Sequence, residues 1–218
     1  MALPTKLDLV NEVLVRIREE EVSALAGDEY ATLVGTFVND AKSQVEDAHD
    51  WSCYLTDIDI STVASTSKYS LTNSANRVKI DNVVNASVPG VLQEASRRWI
   101  KQQIDTGATG ESRPTYWAND GTDSNGDAQV SLYPIPSDAE TIRFTGWQRA
   151  GKLTADTDTL AIPELPVVLL AVAFAVRERG EVGGQVAAEY FELAKRSLSD
   201  EIAYDSARNE DEDNWYWT

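Results

Sequence analysis

At Cys53 the spacing of apolar residues changes. Before it they recur every three or four positions, and after it they recur every second one. The first spacing marks a helix with one buried face, the second a strand with one buried face. Helical spacing returns after Leu160. Helices, then strands, then helices predict an α+β chain. N- and C-terminal helices form a helical bundle that carries an inserted β-rich domain, either a small sheet or a sandwich. The expected boundaries are 1–52 and 160–208 for the discontinuous bundle, 53–159 for the insertion and 209–218 for an acidic, aromatic C-terminal tail.

Local signals place the elements. Thr5 followed by Asp8 reads as a capping box. It opens a helix with Leu7, Val10, Val13 or Leu14, and Ile17 on one face, stopping near Glu20 and Glu21. Asp28 caps a second helix to about Asp50, with Val34, Phe37, Val38, Ala41, Val45 and Ala48 inward. Tyr54, Thr56, Ile58 and Ile60 share one side of a strand, with Asp57 and Asp59 on the other. Short strands are expected at Tyr69–Leu71 and Val78–Val84. Leu92, Ala95, Trp99 and Gln103 briefly restore helical spacing. Pro163 and Pro166 suit a helix start. The helix after them, through Arg179, is apolar on nearly every side and should sit centrally. Gly180, Gly183 and Gly184 permit a tight turn into a fourth helix, with Val186, Tyr190, Leu193 or Ala194, Leu198 and Ile202 inward.

Ser112 to Trp147 reads as the most distinctive stretch. Val130 and Leu132 share one strand face, and Ile142 and Phe144 share a face of the next strand. Pro134, Pro136, Ser137 and Asp138 between them predict a hairpin turn.

Composition excludes several classes. The longest apolar run, Val167–Val176, is too short to span a bilayer, so no membrane segment is expected. The N-terminal residues carry no apolar signal core. Cys53 is the one cysteine, which rules out an internal disulfide or a cysteine zinc cluster. A formal charge of -17 argues against high-affinity wrapping of nucleic acid, which relies on Lys and Arg neutralising phosphates.

Candidate chemistry is sparse. His49, the only histidine, lies near a helix end, where it can meet the last carbonyls. A nucleophile pair with Cys53 has no supporting motif. Asp120–Asp127 looks like a calcium loop, but with Gly126 at the sixth position the first is Gly121 and the twelfth Leu132, so the template fails. Asp57 and Asp59 suit an outward strand face better than a paired-carboxylate site. The reading is a non-enzyme with no cofactor and no metal.

Two features look like contacts. Arg97, Arg98 and Lys101 cluster beside Trp99 in an otherwise acidic chain. They are either a solvated helix face or a contact with an acidic neighbouring subunit or with DNA, and the negative charge of the rest of the chain favours the neighbour. The tail places Glu210, Asp211, Glu212 and Asp213 before Trp215, Tyr216 and Trp217. Terminal acids are usually disordered, but aromatic side chains are the usual anchors of small contacts. The tail is therefore expected to fold onto a partner or back onto its own bundle.

The combination resembles a known family. Ser112-Arg-Pro-Thr-Tyr-Trp117 precedes a strand ending Leu132-Tyr-Pro-Ile-Pro136, then a second strand. Ile162-Pro-Glu-Leu-Pro166 and an apolar helix follow. Upstream stand Leu9-Val-Asn-Glu-Val-Leu14, Val22-Ser-Ala-Leu25, Gly27-Asp28 and a helix ending at Trp51. In this order the pieces are similar to bacteriophage head-to-tail adaptor proteins, the tail tubular protein A type of short-tailed phages. The match covers most of the chain. One departure is Arg18-Glu-Glu-Glu21, where the family often has Gly or Gly-Glu.

The resemblance implies a virion protein at the head–tail interface. It implies a homo-oligomeric ring, expected to be a dodecamer, below the portal protein. The ring would join the portal to the tail nozzle, with tail fibres as a further candidate partner. DNA would pass through its channel without sequence-specific binding. Negative charge then suits channel walls that repel the duplex, although it equally serves solubility. The resemblance assigns the tail to portal docking, and Arg97, Arg98 and Lys101 become subunit-interface candidates. The alternative is a tail-associated binding module for a glycan or fibre protein, with Tyr116, Trp117 and Trp147 stacking on sugar rings.

Overall fold

The computed structural model describes residues 3–72, 77–107, 110–180 and 184–208, arranged in two compact units. Residues 1–53 and 150–218 form a helical unit, and residues 54–149 form a strand-rich unit. The fold is α+β, as the change of period implies.

The helical unit starts with α1 (Lys6–Arg16) and α2 (Glu29–Ala48). The capping box is present. Thr5 Oγ1 accepts from the Asp8 N–H at 3.2 Å, and the Asp8 carboxylate accepts from the Thr5 N–H at 2.9 Å. Asp28 caps α2 by accepting from the Ala31 N–H at 2.8 Å. Each such cap stabilises its helix by about 1 kcal/mol. On α1 the buried face is Leu9, Val10, Val13 and Leu14.

One pair in α2 departs from an apolar interior. Lys42 and Glu46, 3% and 2% exposed, form an ion pair at 2.6 Å. The Lys42 ammonium also donates to the carbonyls of Gly151 (2.9 Å) and Ala150 (3.3 Å). Asn39 donates to Leu153 O at 3.0 Å and accepts from the Leu153 N–H at 2.8 Å. These bonds explain why residues 150–159 group with the helices, although the period change put them with the strands. Further along the same segment, the Lys6 and Leu7 N–H groups donate to Asp158 O and Asp156 O.

The unit is completed by two later helices. Between α2 and these helices the chain forms the strand unit: β1 (Leu55–Ser61), β2 (Lys68–Ser70), β3 (Val78–Asn85), β4 (Gly90–Val91), β5 (Gln93–Glu94), α3 (Arg97–Thr106), β6 (Tyr116–Thr122), β7 (Ala128–Tyr133) and β8 (Thr141–Gln148). The later helices are then α4 (Glu164–Glu178) and α5 (Gln185–Arg208). As expected for its all-round apolar sequence, α4 packs against α1, α2 and α5. On α5 the buried positions are Ala187, Ala194 and Asp205, while Val186 and Leu193 are largely exposed. Of the expected inward stripe, Ala194 is buried and Tyr190, Leu198 and Ile202 are half-buried, whereas Val186 gives way to Ala187, a small side chain that lets α5 lie close to α4.

The strand unit has two four-stranded sheets, ordered β1-β8-β3-β4 and β2-β7-β6-β5. Pairing is antiparallel except between β5 and β6. The expected hairpin is not formed: β7 pairs with β6 and β2, whereas β8 pairs with β1 and β3. Pro134 and Pro136 carry the chain from one sheet to the other. Val130 and Leu132 therefore share one core with Ile142 and Phe144 across the sandwich. The same apolar alternation fits a hairpin or facing strands, and period alone cannot choose. The true hairpin joins β6 and β7.

β7 is buried on both faces. Leu132 and Val130 point into the sandwich core, while Tyr133 packs under α3 with Ile100 and Ala118. α3 covers that sheet through Ile100, leaving Trp99 36% exposed, so the apolar spacing expected from Leu92 onward is not the helix's buried face. Ser96 caps α3 by accepting from the Trp99 N–H at 3.2 Å.

Gly146 lies on the central strand β8 beside an irregularity in β3 between Ile80 and Asn82. A Cβ there would stand 2.2 Å from Lys79 O. Gly146→Ala should therefore destabilise the strand unit by about 1–3 kcal/mol, the usual cost of overpacking. Thermal denaturation measures it, and an unchanged melting temperature would contradict the close approach. Removing one partner of the buried ion pair, as in Glu46→Gln or Lys42→Ala, should cost about 3–5 kcal/mol, because the other buried charge loses its ion-pair partner. Denaturant titration of each variant checks this.

Candidate interaction surfaces

Residues singled out for chemistry are used structurally. His49 ends α2 in extended backbone (φ -154°, ψ 152°), and its Nε2 faces Asp205 Oδ2 at 3.1 Å, so it meets a carboxylate of α5 in place of the helix carbonyls. Ser52 donates to the same carboxylate through its hydroxyl (2.5 Å) and its N–H (3.0 Å). Burial pushes the Asp205 carboxyl up, but the bonds from Ser52 and His49 outweigh it and hold it below the ordinary value. Cys53 is exposed, yet partial burial of its thiol, with the negative Asp205 and Glu46 nearby, pushes it up to about 11. A thiol in that state is a poor nucleophile at neutral pH.

The other acids are likewise occupied. Arg143 donates to both oxygens of Asp59, at 2.8 and 2.9 Å, and Thr145 donates to Asp57 at 2.6 Å. In the β6–β7 loop, Asp123 Oδ1 accepts from the N–H groups of Asn125 (2.8 Å) and Asp127 (3.0 Å), which is turn chemistry. Among the described residues no group of three or more His, Cys, Asp or Glu is placed to hold a metal ion. No helix among them is long and apolar enough to cross a membrane.

The aromatic residues of the glycan alternative are also accounted for. Trp117 is buried, edge-on to Phe144 at 6.0 Å. Tyr116 lies beneath Trp99, and Lys79 sits over the Trp147 ring at 5.3 Å. They do not form a common stacking platform.

The basic cluster on α3 divides. Arg97 is taken up by Asp120, whose carboxylate also binds Lys68 and accepts from Ser131 Oγ at 3.1 Å. Burial pushes the Asp120 carboxyl up, but these partners prevail and keep it low. Arg98 and Lys101 stay exposed, and no ion pair joins either to another described residue. Between them stands Trp99, edge-on to Tyr116 at 5.1 Å and to Tyr133 at 5.4 Å. The tail residues Glu210, Asp211, Glu212, Asp213, Trp215, Tyr216 and Trp217 lie outside the described residues.

A second surface had no signature in the sequence. On the helical unit, Glu12, Glu164, Glu201 and Asp205 line a groove of about 540 Å³ with Leu165 and Tyr204 at its rim. Glu12 pairs with Arg16 at 2.5 Å, and Arg208 lies 5.9 Å from the Tyr204 ring centre. Glu164, in the first turn of α4, is pushed up to about 7 by burial and then by its hydrogen bond and like charge with Glu12. Residues so distant in the chain meet only through helix packing, so no local pattern could pair them.

Charge is unequally shared. The helical unit has ten Lys and Arg against twenty-five Asp and Glu, a formal charge of -15. The strand unit has nine against eleven, a charge of -2.

The chain thus combines an acidic helical unit with a near-neutral sandwich that presents a cationic, aromatic patch. Across residues 4–216 the sequence matches the family described as SU10 adaptor protein, and the chain belongs to that family. No curated protein sequence matches it significantly. The family is structural and non-catalytic, and the chain is a head-to-tail connector of a bacteriophage virion, located at the head–tail interface.

Glu164 carries a pH test. A glutamate raised from 4.5 to about 7 binds a proton in the folded state that the unfolded chain has already lost. Its contribution is fully present below about pH 4.5 and is lost as pH rises through about 7. Glu164→Gln should flatten this part of the stability–pH profile and raise stability at pH 8 relative to the parent. Melting temperatures across that range are the measurement.

Proposed function

We propose that copies of this chain close into a ring, expected to be a dodecamer, that joins the portal to the tail nozzle. The observation that carries this reading is the family match over residues 4–216. The uneven charge supports it. Chains with helical units at -15 repel one another if those faces meet, so association needs unlike faces. Such contacts are heterologous and close by rotation. Arg98 and Lys101, with Arg97 bracing their helix, supply the cationic side of the contact between neighbours.

DNA crosses the channel without being read. Duplex binding depends on phosphate neutralisation, and a strongly acidic protein favours sliding over adhesion. The acidic, aromatic tail 209–218 docks to the portal. Its aromatic residues act as anchors and its acids select a basic groove. The strand unit faces the nozzle or the tail fibres.

Deletion of residues 209–218 tests the docking assignment. The truncated protein should fold with an unchanged melting temperature and lose at least about tenfold in portal affinity, as expected when anchor residues are removed. Binding can be followed by surface plasmon resonance on immobilised portal. Undiminished affinity would assign portal contact to another surface.

A further inference from the structure

Two surfaces on this chain are complementary in charge, and each holds charged groups with no ion pair among the described residues. On α3, Arg98 and Lys101 are three residues apart and so project from one helix face. Trp99 beside them is held edge-on by Tyr116 and Tyr133 and is 36% exposed. A ring already fixed by neighbours loses little conformational freedom on binding. It is therefore a good anchor.

The groove of the helical unit offers the opposite. Glu164 and Glu201 have no ion pair among the described residues. Asp205 is satisfied by Ser52 and His49, and Glu12 is paired with Arg16 while facing the like-charged Glu164. Arg16 and Arg208 are the cations nearby. The first is engaged with Glu12, and the second lies over Tyr204. Leu165 and Tyr204, 46% and 65% exposed, give the rim an apolar surface. At about 540 Å³ the groove falls within the range of about 300–1,000 Å³ typical of binding clefts.

We infer that Arg98, Trp99 and Lys101 of one copy seat in the groove lined by Glu12, Glu164 and Glu201 of the next copy. The inference rests on the ring reading above and names the two faces that meet. Trp99 covers Leu165 and Tyr204, while Arg98 and Lys101 reach the carboxylates. The occupant is a second copy because the chain itself carries both halves of the complementarity. The cations stand on the unit with charge -2, and the unmatched carboxylates on the unit with charge -15. An arriving cation also relieves the repulsion between Glu12 and Glu164, so the proton held by that pair is released on assembly.

A charge swap tests this. One variant carries Arg98→Glu and Lys101→Glu; the other carries Glu164→Lys and Glu201→Lys. Sedimentation velocity, with circular dichroism to confirm folding, reads the result. The parent should self-associate, and each variant alone should do so at least about tenfold more weakly, as expected for lost interfacial charge pairs. An equimolar mixture should recover assembly. In the mixture the reversed face of each variant meets the reversed face of the other, and native faces meet native faces, always with opposite sign, so native mass spectrometry should show the two variants in equal number in each assembly. If a variant is unfolded, Arg98→Gln with Lys101→Gln and the single Glu201→Gln should weaken assembly in the same sense. Variants that assemble like the parent, or a mixture that recovers nothing, would overturn this contact while leaving the ring reading intact. A parent that forms no ring, alone or on portal, would overturn both.

Discussion

A buried ammonium organises the helical unit. Lys42 lies inside α2's packed face with Glu46 at 2.6 Å and the carbonyls of Ala150 and Gly151 at 3.3 and 2.9 Å. A charge so buried is tolerable only when paired and hydrogen-bonded. Its partners come from two places in the chain: one turn along α2, and the segment that follows the strand unit. The pair therefore selects one path for the returning chain. Asn39 then fixes Leu153, and the N-terminus of α1 binds residues 156–158, so α1, α2 and the return segment are held before α4 begins.

In the strand unit the organising constraint is β7. Its two faces serve two cores, the sandwich on one side and α3 on the other. This supports a short helix that would be unstable alone, and it keeps Trp99 against Tyr116 and Tyr133. The same arrangement uses Arg97 and Lys68 to neutralise the buried Asp120. What remains outward on α3 is a smaller, more defined patch than the run of basic residues suggests.

Charge is distributed unequally over these two scaffolds. A head-to-tail connector works by contact. A strongly acidic helical unit discourages adhesion to phosphates, and a near-neutral sandwich is free to make close contacts. Placing unmatched acids on one unit and unmatched cations on the other favours contacts between unlike faces. The proposed ring requires such heterologous contacts, whereas a symmetric pair does not.

Much of this was legible in the chain. The change of period at Cys53, the Thr5–Asp8 capping box and the all-apolar α4 are local patterns, and short-range sterics and hydrogen bonding decide them. Lys42 and Glu46 were open to discovery, since both fall beside Ala41 and Val45 on the inward side of α2. Tertiary structure alone decided that Val130 and Leu132 face Ile142 and Phe144 across a sandwich and not within a hairpin, because alternation reports which side is buried but not what covers it. It also decided that α5 turns Ala187 and not Val186 inward, where a small side chain permits close approach to α4. The groove of Glu12, Glu164 and Glu201 belongs to the same category: its carboxylates are far apart in the chain, and only the packing of three helices gives them a common electrostatic environment.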